Sequence, residues 1–305
     1  AVPTELDDAL VIMTSGTTGS PKGAVLTMAA LQAMAFTTSS RLAVGPSSRW
    51  LACLPLHHIG GFGVMARALL TSTPLAVLPR FDARHVELEA ERGATHTSLV
   101  PTALRRIDPS GFEYILLGGS QIPDRRPPNT VATYGMTETC GGVIYDGLPL
   151  NGVGLRLGPG GEIELGGPTL LRHYRHGDDP KTPDGWLPTD DLGRVDPETE
   201  TLTVLGRADD VIITGGENVW PGPVEQCLER HPDIAEAAVI GRRDPEWGQR
   251  VVALLVSATA TPPSLAEIRT FVRDTLPAAH APREIEWRPA LPRTSLGKIR
   301  RAELS

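Results

Sequence analysis

A chain of 305 residues, 40% hydrophobic and 21% charged, has ordinary globular bulk and is long enough for two domains. Its net charge of −7, with acidic and basic residues interspersed and Arg-Arg pairs scattered at 105–106, 125–126, 242–243 and 300–301, excludes a nucleic-acid surface, which needs clustered Lys and Arg. Cys53, Cys140 and Cys227 offer neither a disulfide framework nor a CxxC metal site, no apolar run approaches the roughly 18 residues that span a bilayer, and the first residues lack the layout of a signal peptide; a cytoplasmic protein without membrane insertion is expected.

In chain order, the apolar run at 10–13 reads as a buried strand leading into residues 14–23, TSGTTGSPKG. Gly16, Gly19 and Gly23 let backbone N–H groups approach a ligand, while Thr14, Ser15, Thr17, Thr18 and Lys22 add donors and positive charge, the make-up of a phosphate-holding loop. The lysine follows proline and precedes glycine, so this is not the Walker spacing, and the usual helix-dipole account of phosphate binding does not transfer automatically. A Ser/Gly/Thr-rich linker is the plain alternative, but a linker has no reason to place Pro-Lys-Gly after the hydroxyls and a strand before them.

Helices are predicted over 28–42, 63–70 and 82–92, and buried strands over 50–55, 75–78 and 114–117, an α/β alternation. From 147 to 207 short strands rich in Gly and Pro, including 161–165 and 201–205, suggest a small antiparallel barrel. Beyond 207 follow a helix at 221–230, strands at 235–241 and 250–256, a helix at 264–276 and a strand at 284–288, a compact α+β unit of about a hundred residues. The domains expected are therefore 1–207 and 208–305. No low-complexity linker stands at 207–209, which suggests a hinge.

Five motifs occur in order along nearly the whole chain: the loop at 14–23, YGMTE at 134–138, GWLPTDDLG at 185–193, GRADD at 206–210 and PRTSLGK at 292–298. Together they resemble the adenylate-forming superfamily of acyl- and aryl-CoA synthetases, luciferases and peptide-synthetase adenylation domains. The resemblance implies a large N-terminal α/β domain with a small β-barrel subdomain and a smaller, mobile α+β C-terminal domain. Members of the superfamily usually carry a substantial subdomain before the loop, which here begins at position 14, so the chain is read as either a compact variant or one that begins late.

The implied reaction has two steps: a carboxylate attacks the α-phosphate of ATP, and CoA then takes the acyl group. Charge gathers on phosphoryl oxygens, so fixed donors and a divalent cation are needed rather than a protein nucleophile. Thr14, Ser15, Gly16, Thr17, Thr18, Gly19 and Lys22 would hold the departing phosphates. Glu138, beside Thr137, is the natural Mg²⁺ contact, against the plain reading of a surface glutamate. Tyr134 and Gly135, with Gly118, Gly119 and Ser120, would receive the adenine. Asp191 would accept the ribose hydroxyls, although Asp190 stands where most of the family has glycine, and Arg207 would be a second ribose or phosphate contact. Lys298 would reach the reacting anions in the first step. In the second the C-terminal domain would turn about Asp209 and present Gly215 and Gly216 to the pantetheine arm, a role compatible with a hairpin turn at the same place.

For the acid, the segment 55–67, PLHHIGGFGVMAR, puts Arg67 into an otherwise apolar helix, where it must meet an anion: a structural salt bridge or a second substrate carboxylate. The segment and the stretch at 134–153 resemble o-succinylbenzoate:CoA ligases of menaquinone biosynthesis. Thr139 and Gly141 would then line the pocket, and His58 would stand at its mouth or serve in packing. The implied small-molecule partners are a carboxylic acid, ATP and CoA, and a homo-oligomer is left open. The alternatives are another aryl- or medium-chain acyl-CoA synthetase, a carrier-loading adenylation protein and a silent relative, the last opposed by Lys22, Glu138, Asp191 and Lys298 occurring together.

Overall fold

The computed structural model describes residues 5–14, 22–119, 122–123, 125–293 and 299–304. Two compact units divide the chain, one of Ala1–Gly158, Ile163–Thr189 and Val195–Thr203, the other of Pro159–Glu162, Asp190–Arg194 and Val204–Ser305.

In the first unit β1 (Asp8–Thr14) and β2 (Lys22–Thr27) form an antiparallel hairpin whose last pair is Thr14 with Lys22, so the feet of the 14–23 loop are closed by backbone pairing. The strand before the loop is not buried as its sequence suggested: Val11 and Met13 are exposed and only Ile12 is covered, because β1 pairs with β2 alone. α1 (Met28–Arg41) starts where Thr27 accepts the Ala30 N–H. There follow β3 (Trp50–Ala52), α2 (Ile59–Leu70), β4 (Leu75–Val77), α3 (Ala83–Glu91), capped by Asp82, β5 (His96–Leu99), α4 (Pro101–Leu104), β6 (Tyr114–Leu117), β7 (Thr130–Met136), β8 (Gly141–Tyr145) and β9 (Leu148–Pro149).

Strands β3 to β9 make one sheet in the order β4-β3-β5-β6-β7-β8-β9, parallel from β4 to β7 and antiparallel beyond. Alternate residues serve opposite faces: Trp50 and Ala52 pack with Val64 and Ala68 of α2, Leu51 and Cys53 with Val86 beyond the other face.

β10 (Gly154–Leu157), β11 (Glu162–Gly166), β12 (Leu187–Val195) and β13 (Leu202–Arg207) form a four-stranded sheet in sequence order, with β10 and β13 as its edges. The sequence texture suggested a barrel here; the strands pair instead as an open sheet whose edge strands β10 and β13 do not pair with each other.

In the second unit β14 (Ile212–Thr214), β15 (Glu217–Val219), β16 (Ile234–Asp244), β17 (Gly248–Ser257) and β18 (Glu284–Trp287) make a sheet in the order β15-β14-β17-β16, with β18 parallel to β17. α5 (Pro221–Glu229) and α6 (Leu265–Arg273) bury Val224, Leu228, Ile268 and Val272 on one face, while Leu291 and Leu304 cover Ala238 and Leu254 on the other. Arg301 ties this last segment down with two 2.9 Å bonds to Glu225 and one to the Val239 carbonyl. All three cysteines are free and buried; desolvation pushes the Cys53 thiol up to about 11 and Cys140 up to about 12.

Candidate active site

Parallel strands carry their ligand sites beyond their carboxyl ends, and several candidate residues of the first unit lie there. Past the ends of β3, β6 and β7 come His57 and His58, Gly118 and Gly119, and the turn at 137–139. Gly118 donates its N–H to the Leu99 carbonyl, and a Cβ on it would fall 2.6 Å from Thr133 Oγ1, so the backbone lies flat against β7. Gly135 is forced by pairing, since a Cβ there would stand 2.1 Å from the Gly141 carbonyl oxygen at the irregular step between β7 and β8. The Tyr134 ring packs against the edge of the main core.

The turn at 137–139 is held by the Thr139 hydroxyl. Thr139 is fully buried; its Oγ1 accepts the Met136 N–H at 2.9 Å and lies 2.7 Å from the Gly141 carbonyl, so the side chain holds the turn together. Gly141 follows with φ +104, and its absent Cβ would point at Ile59 Cγ1, which places this turn beside the start of α2, next to the His57 and His58 rings that lie 4.2 Å apart at a 44° tilt. Thr137 is half-buried, and its carbonyl accepts the Cys140 N–H. Glu138 is 9% exposed. Its Oε1 accepts the Tyr174 hydroxyl at 2.9 Å, and Oε2 takes no hydrogen bond among the described residues. No cluster of three or more His, Cys, Asp or Glu suited to a metal occurs among the described residues. A lone carboxylate with an uncommitted oxygen fits Mg²⁺, which is commonly held by one or two carboxylates plus substrate phosphates and water rather than an all-protein cage.

Lys22 stands at the foot of the glycine-rich loop with its ammonium 5.1 Å from the Tyr174 ring centroid. Sequence reasoning missed Tyr174. Its signal is faint, because Arg172 to Arg175 look like polar surface until their backbone pairs with β2 through Val25 N–H to His173 and Arg175 N–H to Gly23.

Arg67 lies on the buried face of α2, 5% exposed. Nη2 donates to Ser98 Oγ at 3.0 Å, Nη1 lies 3.6 Å from Met34 Sδ, and the guanidinium covers the Trp50 ring at 4.9 Å. Burial lowers its pKa, its Nε has no hydrogen-bond partner, and it makes no salt bridge among the described residues. The structural ion pair that the sequence left open is therefore not formed there.

In the second unit Asp191 is well shielded, its side chain 15% exposed, against 70% for Asp190. Arg207 faces both, Nε 3.8 Å from Asp191 and Nη2 3.2 Å from Asp190. Asp190 has φ +58, the left-handed conformation glycine takes most readily and aspartate tolerates, which accounts for the exchange of one for the other. Asp209 is exposed in a short 3₁₀ turn, 208–210. Gly215 and Gly216 form the two-residue turn between β14 and β15, both with positive φ, and a Cβ on Gly215 would strike the Trp247 ring at 2.7 Å. Ser15, Gly16, Thr17, Thr18, Gly19, Ser120 and Lys298 lie outside the described residues.

The AMP-binding enzyme family matches residues 1–174, and the AMP-binding enzyme C-terminal domain matches residues 223–298. The chain belongs to the AMP-binding enzyme family. Among AMP-binding enzymes it is 43% identical, over 98% of its own length and 85% of the relative's, to a probable 2-succinylbenzoate–CoA ligase of Mycobacterium tuberculosis (strain CDC 1551 / Oshkosh). The fold superposes with a TM-score of 0.87 on the Bacillus subtilis o-succinylbenzoate CoA synthetase in complex with its acyl-adenylate intermediate, at 30% identity, covering 96% of this chain and 68% of that one. The same B. subtilis enzyme with ATP and magnesium ion also gives 0.87, with 99% and 72% covered.

Proposed function

We propose that this AMP-binding enzyme is an ATP-dependent acid:CoA ligase that activates 2-succinylbenzoate as its acyl-adenylate and then forms the CoA thioester, a step of menaquinone biosynthesis. The likeness to 2-succinylbenzoate–CoA ligases over 98% of the chain carries the reading. The buried Arg67 cation with no acidic partner among the described residues supports a substrate with a second carboxylate.

In the first step the acid's carboxylate oxygen bonds to the α-phosphorus and the bond to the bridging oxygen breaks, releasing pyrophosphate. Thr14 and Lys22, with the loop between them, would receive the departing phosphates as fixed donors. Gly118, Gly119 and Tyr134 would form the adenine surface, and Asp191, backed by Arg207, would accept the ribose hydroxyls. Glu138 would hold Mg²⁺, which supplies positive charge for the transferring phosphoryl group. Lys298 would lower the repulsion between carboxylate and phosphate; at an effective dielectric near 20, a charge pair about 4 Å apart is worth about 4 kcal/mol. In the second step the CoA sulfur attacks the acyl carbon and AMP leaves; rotation about Asp209 would bring Gly215 and Gly216 to the pantetheine arm. CoA and ATP are its small-molecule co-substrates, and no helix among the described residues is long and apolar enough to cross a membrane.

The test is pyrophosphate release over a panel of carboxylic acids, with and without CoA. Robust turnover of 2-succinylbenzoate is expected. Turnover of benzoates or fatty acids with none of 2-succinylbenzoate would hand the assignment to another acyl-CoA synthetase, and transfer only to a carrier protein would hand it to a carrier-loading enzyme.

A further inference from the structure

Glu138 and Lys22 have a common neighbour. The Tyr174 hydroxyl donates to Glu138 Oε1 at 2.9 Å, and the Lys22 ammonium sits over the ring of the same tyrosine at 5.1 Å. Its backbone is held on both sides. Arg172 and Arg175 donate their N–H groups to Val25 and Gly23 of β2, and the Leu171 N–H, three residues earlier, goes to the Glu138 carbonyl at 2.7 Å. The strap at 171–175 therefore links the strand leaving the glycine-rich loop to the turn that carries Glu138.

We propose that Tyr174 is a positioning residue that sets the metal-contacting carboxylate and the phosphate-loop lysine in register; this rests on the reading of Glu138 as the Mg²⁺ contact. Two properties of tyrosine are used, and they separate chemically. The hydroxyl occupies one carboxylate oxygen and fixes the rotation of the group, which leaves Oε2 for a cation that demands strict octahedral geometry. The ring face attracts the ammonium without pairing it to an acidic side chain, which leaves that cation available to a phosphate. Phenylalanine would pack in the same space and keep the second property but lose the first.

The experiment is calorimetric titration of the full chain with ATP, in EDTA and at increasing Mg²⁺, for wild type, Tyr174→Phe, Tyr174→Leu and Glu138→Gln. Tyr174→Phe is expected to bind metal-free ATP as wild type does while needing about tenfold more Mg²⁺ to reach the tight complex, the usual scale for losing an outer partner of a metal ligand. Tyr174→Leu should also weaken metal-free ATP binding, because Lys22 loses its seat. A Tyr174→Phe protein that titrates with Mg²⁺ like wild type, while Glu138→Gln does not, overturns the role given to Tyr174 and leaves Glu138 in place. Loss of metal-free ATP binding in Tyr174→Phe equal to that in Tyr174→Leu reduces the tyrosine to a packing residue. An unchanged Mg²⁺ titration in Glu138→Gln removes the metal reading itself, and this proposal with it.

Discussion

Arg67 and Ser98 meet inside the first unit at 3.0 Å, a full cation answered by a neutral hydroxyl. A buried charge so weakly compensated destabilises the fold, and replacing it by an apolar side chain of similar length relieves that cost. Arg67→Met is therefore expected to unfold at a higher temperature than wild type in the absence of substrate. Its kcat/KM for 2-succinylbenzoate should nevertheless fall by roughly ten- to a hundredfold, the worth of a charge-assisted hydrogen bond. A monoacid analogue lacking the distal carboxylate should be poor for wild type and little changed by the substitution. Equal losses on both acids would return Arg67 to a structural role.

Asp190 and Asp191 should separate cleanly. Asp190→Gly removes a left-handed aspartate and one side of an exposed ion pair, small opposing effects, so the melting temperature should stay within a few degrees and adenylation within about twofold. Asp191→Asn should raise the KM for ATP by roughly tenfold or more. The reverse ranking in ATP titrations would move the ribose contact to Asp190.

Acid sensitivity is expected from His96. The ring lies tilted against Trp50 and Tyr114, and burial holds its pKa below the ordinary 6.5. The unfolded chain therefore takes up the proton first. The stability that the neutral ring contributes is complete above about pH 6.5 and is lost as pH falls through the depressed folded-state value. Thermal unfolding followed from about pH 8 to about pH 5 should fall less steeply for His96→Phe than for wild type. Parallel curves would show that other groups set the acid limit.

Lys298→Ala should abolish adenylate formation and leave thioester formation from supplied acyl-AMP largely intact, since the ammonium is needed only while two anions approach. A thousandfold loss is the scale that about 4 kcal/mol implies. Equal loss in both half-reactions would assign the residue to folding or to a shared step.

The sequence made most elements of the second unit legible, because α6 carries its capping box, Ser264 with Glu267, and β16 and β17 are dense in Val, Ile, Leu and Ala. It hid β5, whose His96, Thr97 and Ser98 look like a polar loop; they are buried because Thr97 donates to the Leu51 carbonyl and His96 packs between the Trp50 and Tyr114 rings. It also placed the start of α2 four residues late. Gly60 and Gly61 stand in its first turn, and a Cβ on Gly61 would fall 2.4 Å from the Pro55 carbonyl oxygen, a close approach that the glycine permits. The candidate site residues could be singled out one by one from motifs. Tyr174 could not, since its meaning lies in two partners far away in sequence.

The covered cysteines have a practical side. Cys53 and Cys140 are buried and shifted far from thiolate, and the Cys227 sulfur lies 3.0 Å from the Thr275 hydroxyl beneath the helices of its unit. If the proposed reaction with CoA holds, the enzyme keeps its own three thiols buried away from that substrate, so mixed disulfides with it are disfavoured. A colorimetric thiol reagent added to samples of the reaction would count the remaining CoA while the folded enzyme stays silent.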